Sequence, residues 1–217
     1  MKKGLIILIF LAGSQKTIGQ TRIYVASGLT TSSGGDWNTT LAKTSTPLYV
    51  DLELEKKMLG SVSIVGGLST FGVGYNSDDT GFGSQSSYRA TFISVPLLFR
   101  WNVRNKNILF FDFGLSPYYL LKAHLQESIY KFNIRRDAEG DITEYSKRFF
   151  TSLKFQQTVA FNRLTFALFV IAPFKGQSPI KDLVDHWDFN QQQSAYLISG
   201  GYKDFVVMGL KAGVRIK

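Results

Sequence analysis

Apolar residues recur along most of this chain with a period of two, the spacing of a strand whose faces differ, and not with the 3.6 of a helix. In Phe205 to Lys217, one face reads Val206, Met208, Leu210, Ala212, Val214, Ile216, and the other Val207, Gly209, Lys211, Gly213, Arg215, Lys217. Leu48 to Glu55 sets Leu48, Val50, Leu52 and Leu54 against Tyr49, Asp51, Glu53 and Glu55. In Thr91 to Val103, Ile93, Val95, Leu97, Phe99 and Trp101 oppose Ser94, Pro96, Leu98, Arg100 and Asn102. Phe111 to Leu125 sets Phe113, Leu115, Tyr119 and Leu121 against Asp112, Gly114, Ser116, Tyr118, Lys122 and His124. Four more segments are less regular. Thr21 to Leu29 is short, and Val62 to Tyr75 changes parity at Gly66-Gly67, where a bulge is expected. Phe149 to Phe161 places Gln157 on its apolar side, and Leu164 to Ala172 is apolar on both faces.

The connections between these eight predicted strands alternate in length. Lys56 to Ser61, Arg104 to Asn107 and Asn162-Arg163 are short; Thr30 to Pro47, Asn76 to Arg89, Glu127 to Arg148 and Pro173 to Asp204 are long and polar. That order predicts an eight-stranded antiparallel up-and-down barrel with long loops at one end and tight turns at the other. The faces then decide the solvent. The apolar parity carries the bulky Phe99, Trp101, Phe111, Phe113, Tyr119, Phe149 and Phe155, and the opposite parity mixes Gly114, Ser116, Gly209 and Gly213 with charges. Bulk suits lipid, and small or charged residues suit a narrow interior. Aromatic residues also lie near both ends of the strands, as interfacial girdles do: Trp101, Phe111 and Phe161 beside short turns, Tyr75, Tyr119 and Phe149 beside long loops. A transmembrane barrel is therefore expected, with Asp51, Glu53, Glu55, Arg100, Asp112, Lys122, Lys154, Lys211 and Arg215 facing one another inside it. Isolated ions in such a space are costly, so a salt-bridge network filling the barrel is expected rather than an open pore.

The N-terminus adds an address. Met1-Lys2-Lys3 precedes an apolar run, Leu5 to Ala12, and Thr17 and Gly19 stand at positions −3 and −1 of a cut before Gln20. This is the pattern of a secretory signal peptide over residues 1–19, leaving a barrel domain over 20–217. Its removal lowers the formal charge from +9 to +6. Zero cysteines exclude a disulfide framework, a thiolate metal site and a lipidated cysteine at the cut. Export with a barrel predicts the outer membrane of a Gram-negative bacterium.

Three segments carry a family resemblance. Thr91-Phe-Ile-Ser-Val-Pro-Leu-Leu-Phe-Arg-Trp101 resembles a strand of the PorT-like outer-membrane β-barrels, Phe113-Gly-Leu-Ser-Pro-Tyr-Tyr-Leu-Leu121 the strand that follows it, and Gly209-Leu-Lys-Ala-Gly-Val-Arg-Ile-Lys217 the closing strand. The closing strand ends in Lys217, where many outer-membrane barrels end in an aromatic residue. The resemblance implies an integral outer-membrane barrel without assigned enzymology, some members being linked to protein export across that membrane. It brings no catalytic residue.

Candidate chemistry is sparse. His124 and His186 are the only histidines, the latter near Asp182, Asp185 and Asp188. A lipid-modifying enzyme would need one of them beside a nucleophile, for which Ser178, Ser194 and Ser199 are merely near in sequence. Asp137 to Glu144 lacks the ligand spacing of a calcium loop, and Gly72, Gly74, Gly81 and Gly83 lack the Gly-Lys-Ser/Thr of a phosphate loop. No catalytic site, metal or cofactor is expected. Lys131, Arg135, Arg136, Lys147 and Arg148 surround the third long connection; on an exported protein they predict phosphorylated lipid headgroups or lipopolysaccharide as partner, not nucleic acid. The reading is a structural or interacting barrel that engages a protein partner, headgroup or glycan through its long loops, with an accessory role in secretion implied by the resemblance. The alternatives are a lipid-modifying enzyme and a soluble exported barrel carrying an apolar ligand.

Overall fold

The computed structural model describes residues 21–34, 48–79, 84–103, 108–131, 134–174 and 205–216. The proposed signal segment and His186 lie outside them. In chain order the strands are β1 (Thr21–Gly34), β2 (Leu48–Leu59), β3 (Val62–Asp79), β4 (Ser84–Ser94), β5 (Leu97–Asn102), β6 (Leu109–Leu115) and β7 (Tyr118–Lys131). They continue as β8 (Ile134–Asp141), a 3-10 turn at Thr143–Tyr145, β9 (Phe149–Phe150), β10 (Ser152–Phe161), β11 (Leu164–Pro173) and β12 (Phe205–Arg215). Every pairing is antiparallel. β3 bonds β5 along its first part and β4 along its second, and β6 and β7 bond β10 and β9 in turn. Consecutive pieces β4/β5, β6/β7 and β9/β10 each make one wall strand, so pairing of β12 with β1 closes a barrel of eight. β8 pairs with β7 and prolongs that hairpin beyond the wall at the long-loop end.

Two of the predicted strands are each split by a proline. Pro96 separates β4 from β5 and Pro117 separates β6 from β7, because proline supplies no N–H to the ladder. The wall stays closed there through carbonyl acceptors: Val95 N donates to Pro117 O at 3.0 Å and Gly67 N to Pro96 O at 3.2 Å. Ser94 and Ser116 hydroxyls meet at 2.7 Å beside the gap. The β10–β11 turn is the expected Asn162-Arg163, and the β2–β3 turn is tighter than expected, Gly60-Ser61, because β2 runs on to Leu59; the expected turn at Arg104 to Asn107 lies outside the described residues. Gly60 (φ 58°) and Asn162 (φ 56°) hold left-handed positions in the β2–β3 and β10–β11 turns.

Two expectations need correction. The bulge expected at Gly66-Gly67 is absent: Ser63, Val65, Ser69, Phe71 and Val73 all point inward, and the register of that hairpin shifts instead at Lys57/Leu59. What changes along β3 is the composition of the interior, not the direction of the strand. Conversely, β7 carries a bulge where none was expected. Thr91 pairs with Lys122 and Phe92 with Leu120, so Leu121 is the extra residue. Leu121 and Lys122 are both exposed, and the inward set changes from Tyr118 and Leu120 to Ala123 and Leu125. Lys122 therefore stands outside the barrel.

The interior has two storeys. Toward the long loops it is an apolar core in which Phe71, Phe92, Tyr118 and Phe150 interlock, with ring centroids 5.0–5.9 Å apart. Gly209 makes room there, since a Cβ on it would overlap the Phe169 ring. Toward the short turns the interior is ionic. Outside, the large residues face away: Leu210 is 62% exposed and the next residue, Lys211, 7%.

Candidate functional site

The ionic storey is built by strands that alternate a leucine outward with a carboxylate inward. Asp51, Glu53 and Glu55 project from β2 at two-residue spacing, and Leu52 and Leu54 between them face out. Arg100 on β5 lies directly opposite Asp112 on β6. The guanidinium grips that carboxylate with two bonds, Nε to Oδ1 and Nη2 to Oδ2, each 2.8 Å. Its remaining N–H groups reach past β3 to β2, Nη2 to Glu53 Oε2 at 3.1 Å and Nη1 to Glu55 Oε2 at 3.3 Å. The planar cation also sits over the Tyr24 and Phe110 rings, 5.1 and 5.2 Å from their centroids.

Two lysines complete the layer. Lys211 on β12 donates to Asp51 and, at 2.6 Å, to Glu53 Oε1. Lys154 on β10 donates to Tyr49 OH at 3.0 Å and lies 3.8 Å from Asp51 Oδ2. Glu55 accepts from Tyr24 OH at 2.6 Å and Ser63 Oγ at 2.8 Å, with Arg22 at the rim 3.8 Å away. Four carboxylates thus meet three buried cations plus Arg22, which is the condition for ions to persist in a space of low dielectric.

Seven of the nine residues expected inside are brought together: Asp51, Glu53, Glu55, Arg100, Asp112, Lys154 and Lys211 are all buried. Arg215 keeps the inward parity but lies half-buried near the short-turn end, opposite Tyr24 in register and outside the ion pairs among the described residues. Lys122 is excluded by the β7 bulge. Sequence reasoning missed Tyr24 and Gln156. The Gln156 amide nitrogen links Asp112 Oδ2 (2.9 Å) to Glu53 Oε1 (3.3 Å), and its even parity with Lys154 was the available signal.

Outside the barrel, Arg148 donates to Tyr119 OH at 3.3 Å, and the Lys147 ammonium lies 5.9 Å from the centre of the Phe150 ring. The backbones of Lys131, Arg135 and Arg136 belong to the β7–β8 hairpin, and their side chains fall outside the described set. His124 Nε2 is 3.1 Å from Glu139 Oε1, an exposed pair across the same hairpin. Asp141, at the end of β8, accepts from the backbone N–H and the hydroxyl of Thr143, and these bonds hold its carboxyl below the ordinary aspartate range. Among the described residues, no group of three or more acidic, histidine or cysteine side chains is placed to hold a metal ion.

No family model matches the chain, and no curated protein does. Solved structures of similar shape include the attachment invasion locus protein of Yersinia pestis, alone and in complex with the heparin analogue sucrose octasulfate. It has a TM-score of 0.41 and 11% identity, over 92% of this chain and 100% of that one. Neisserial surface protein A has a TM-score of 0.41 and 7% identity, over 93% and 99%. Overlap and identity this low assign neither a family nor a ligand.

Proposed function

We propose that the protein is an integral outer-membrane barrel with a filled interior, acting as a structural or interaction element through the chain at its long-loop end. The observation that carries this reading is the inversion of the wall. Leu210, Val214, Phe99, Phe113 and Phe155 face outward and exposed, while Lys211, Arg100, Asp112 and Lys154 are buried inside. A soluble barrel hides its apolar parity. A membrane barrel presents it to hydrocarbon, where every backbone polar group must find its partner within a closed sheet. The filled interior also argues against a carrier of apolar ligands, since the apolar storey is occupied by the protein's own rings.

The finer reading rests on the sequence. Resemblance to PorT-like barrels supports an accessory role in protein secretion, and the basic residues around the third long connection support contact with lipopolysaccharide or another phosphorylated headgroup. Of the two histidines the lipid-modifying alternative would use, His124 faces Glu139 in the open, and His186 lies outside the described residues. The test is fractionation with electrophoresis. The protein should sediment with outer membranes, resist carbonate extraction, and migrate faster unheated than boiled; recovery in the soluble periplasmic fraction would overturn the reading. Replacing Arg135 and Arg136 with glutamine should lower the lipopolysaccharide that co-purifies, and unchanged retention would remove the headgroup contact.

A further inference from the structure

The ionic storey is not filled to the last atom. Between β1, β2, β5, β10, β11 and β12 lies a small cavity bordered by Asp51, Glu53, Arg100, Gln156, Thr165 and Lys211. The small side chains on its β1 and β11 wall leave the room. Ala26 and Thr165 flank Gly213, where a Cβ would come within 2.7 Å of the Ala26 methyl and 3.0 Å of the Thr165 hydroxyl. The space open to the centre of a water molecule is about 10 Å³, enough for one water and no more.

Two of the residues on this cavity carry a buried oxygen with no partner among the described residues, Asp51 Oδ1 and Gln156 Oε1. Each belongs to a side chain that is otherwise fully engaged: Asp51 Oδ2 accepts from Lys211 and from Tyr49 OH (3.1 Å), and the Gln156 amide nitrogen serves Asp112, Glu53 and Thr158. A buried acceptor left unmade costs about 1–3 kcal/mol, so two of them on one cavity of water size point to a shared donor.

We infer that this cavity is a binding site for a single ordered water, which donates one hydrogen to Asp51 Oδ1 and the other to Gln156 Oε1. Water suits the charge of the site as well as its size. A monovalent cation would also satisfy two acceptor oxygens, but it would stand beside the Lys211 ammonium and the Arg100 guanidinium, with Lys154 close to the same carboxylates. A neutral molecule with two donors escapes that repulsion. The Thr165 hydroxyl on the same wall can serve its lone pairs.

The test uses the full barrel folded in detergent micelles. Water magnetic relaxation dispersion should detect a molecule that stays longer than the barrel's tumbling time, and Ala26→Val, which fills the gap with carbon, should lower the amplitude by one water. If Ala26→Val does not fold, Thr165→Val supplies a second readout: it removes a hydroxyl without filling the gap and should shorten the residence time, and an unchanged residence time would overturn the proposal. A crystal structure should show a density peak within hydrogen-bond distance of both oxygens. Equal amplitudes in wild type and Ala26→Val, or the lack of such a peak, would overturn the proposal. So would a fall in the unfolding midpoint when sodium is exchanged for choline at constant ionic strength, since that assigns the site to a cation.

Discussion

Arg100 and Asp112 face each other across the β5–β6 pair and are joined by two parallel bonds of 2.8 Å, in a side-chain geometry that lysine could not reproduce. The same guanidinium reaches Glu53 and Glu55 on β2, two strands away around the wall. One residue therefore ties three wall strands together through the interior. Arg100→Leu should leave Asp112, Glu53 and Glu55 short of a cation and lower stability by about 3–5 kcal/mol, as breaking a buried pair does. Urea titration in lipid vesicles measures this. Arg100→Leu combined with Asp112→Leu should recover part of the loss, and neither variant should conduct in planar bilayers, because the aromatic storey still closes the interior. A large, stable single-channel current from the wild type would contradict the sealed interior outright.

That aromatic storey is open to its own test. Phe92 is fully buried, and its ring lies 5.2 Å from Tyr118 and 5.9 Å from Phe150, both edge-on. Phe92→Ala should cost about 3–5 kcal/mol, because neighbours fixed in the wall cannot collapse into the space. Phe113→Ala, which removes a ring of equal size from the outer face, should cost less, since lipid chains refill the gap. Equal losses in the two variants would show that the inner storey is not packed as a core.

Much of this architecture is legible in the sequence, because the ionic storey obeys the two-residue period. Asp51, Glu53 and Glu55 alternate with leucines, and that alternation alone assigns them to one side of the wall. Lys122 is not legible. Its direction depends on where the β4–β7 ladder gains an extra residue, and that choice is made by the long-range pairing of Thr91 with Lys122 and of Phe92 with Leu120. The apolar storey is hidden for a different reason. Phe71, Val73, Phe92 and Leu120 have the chemistry expected of a lipid-facing residue, so composition cannot separate them from Phe99 or Phe113; only continuity of parity along an unbroken strand can. Pro96 and Pro117 were visible, but they interrupt the ladder without turning the chain. Gln156 shares its parity with Lys154, yet an uncharged amide gave no reason to place it among ions.

Asp141 gives the fold a small dependence on pH at the base of the β7–β8 hairpin. Its carboxylate accepts from the Thr143 backbone N–H at 2.9 Å and from the Thr143 hydroxyl, and both bonds favour the charged form. Because the folded value is depressed, the contribution is present above the ordinary aspartate range and is lost as pH falls through the lowered folded value. A carbon-detected NMR titration should find Asp141 titrating below the ordinary aspartate range. Thr143→Val should return it toward the usual range without affecting the barrel.

The sharpest separation of inside from outside comes from three single charge changes, two on β12 and one on β7. Leu210 faces out and Lys211 faces in, one residue apart on β12. Leu210→Arg would put a cation on the hydrocarbon face and should cost about 2–4 kcal/mol if that position lies at mid-depth. Lys211→Met should cost a comparable amount for the opposite reason, since it strips Asp51 and Glu53 of their shared cation. Lys122→Gln should change stability by no more than about 0.5 kcal/mol, because the β7 bulge has carried that side chain out of the ionic layer. Folding free energies in lipid vesicles rank the three. Were Lys122→Gln as damaging as Lys211→Met, the bulge would be misplaced and Lys122 would belong with the interior ions; were Leu210→Arg silent, the β12 face now assigned to hydrocarbon would have to be wet.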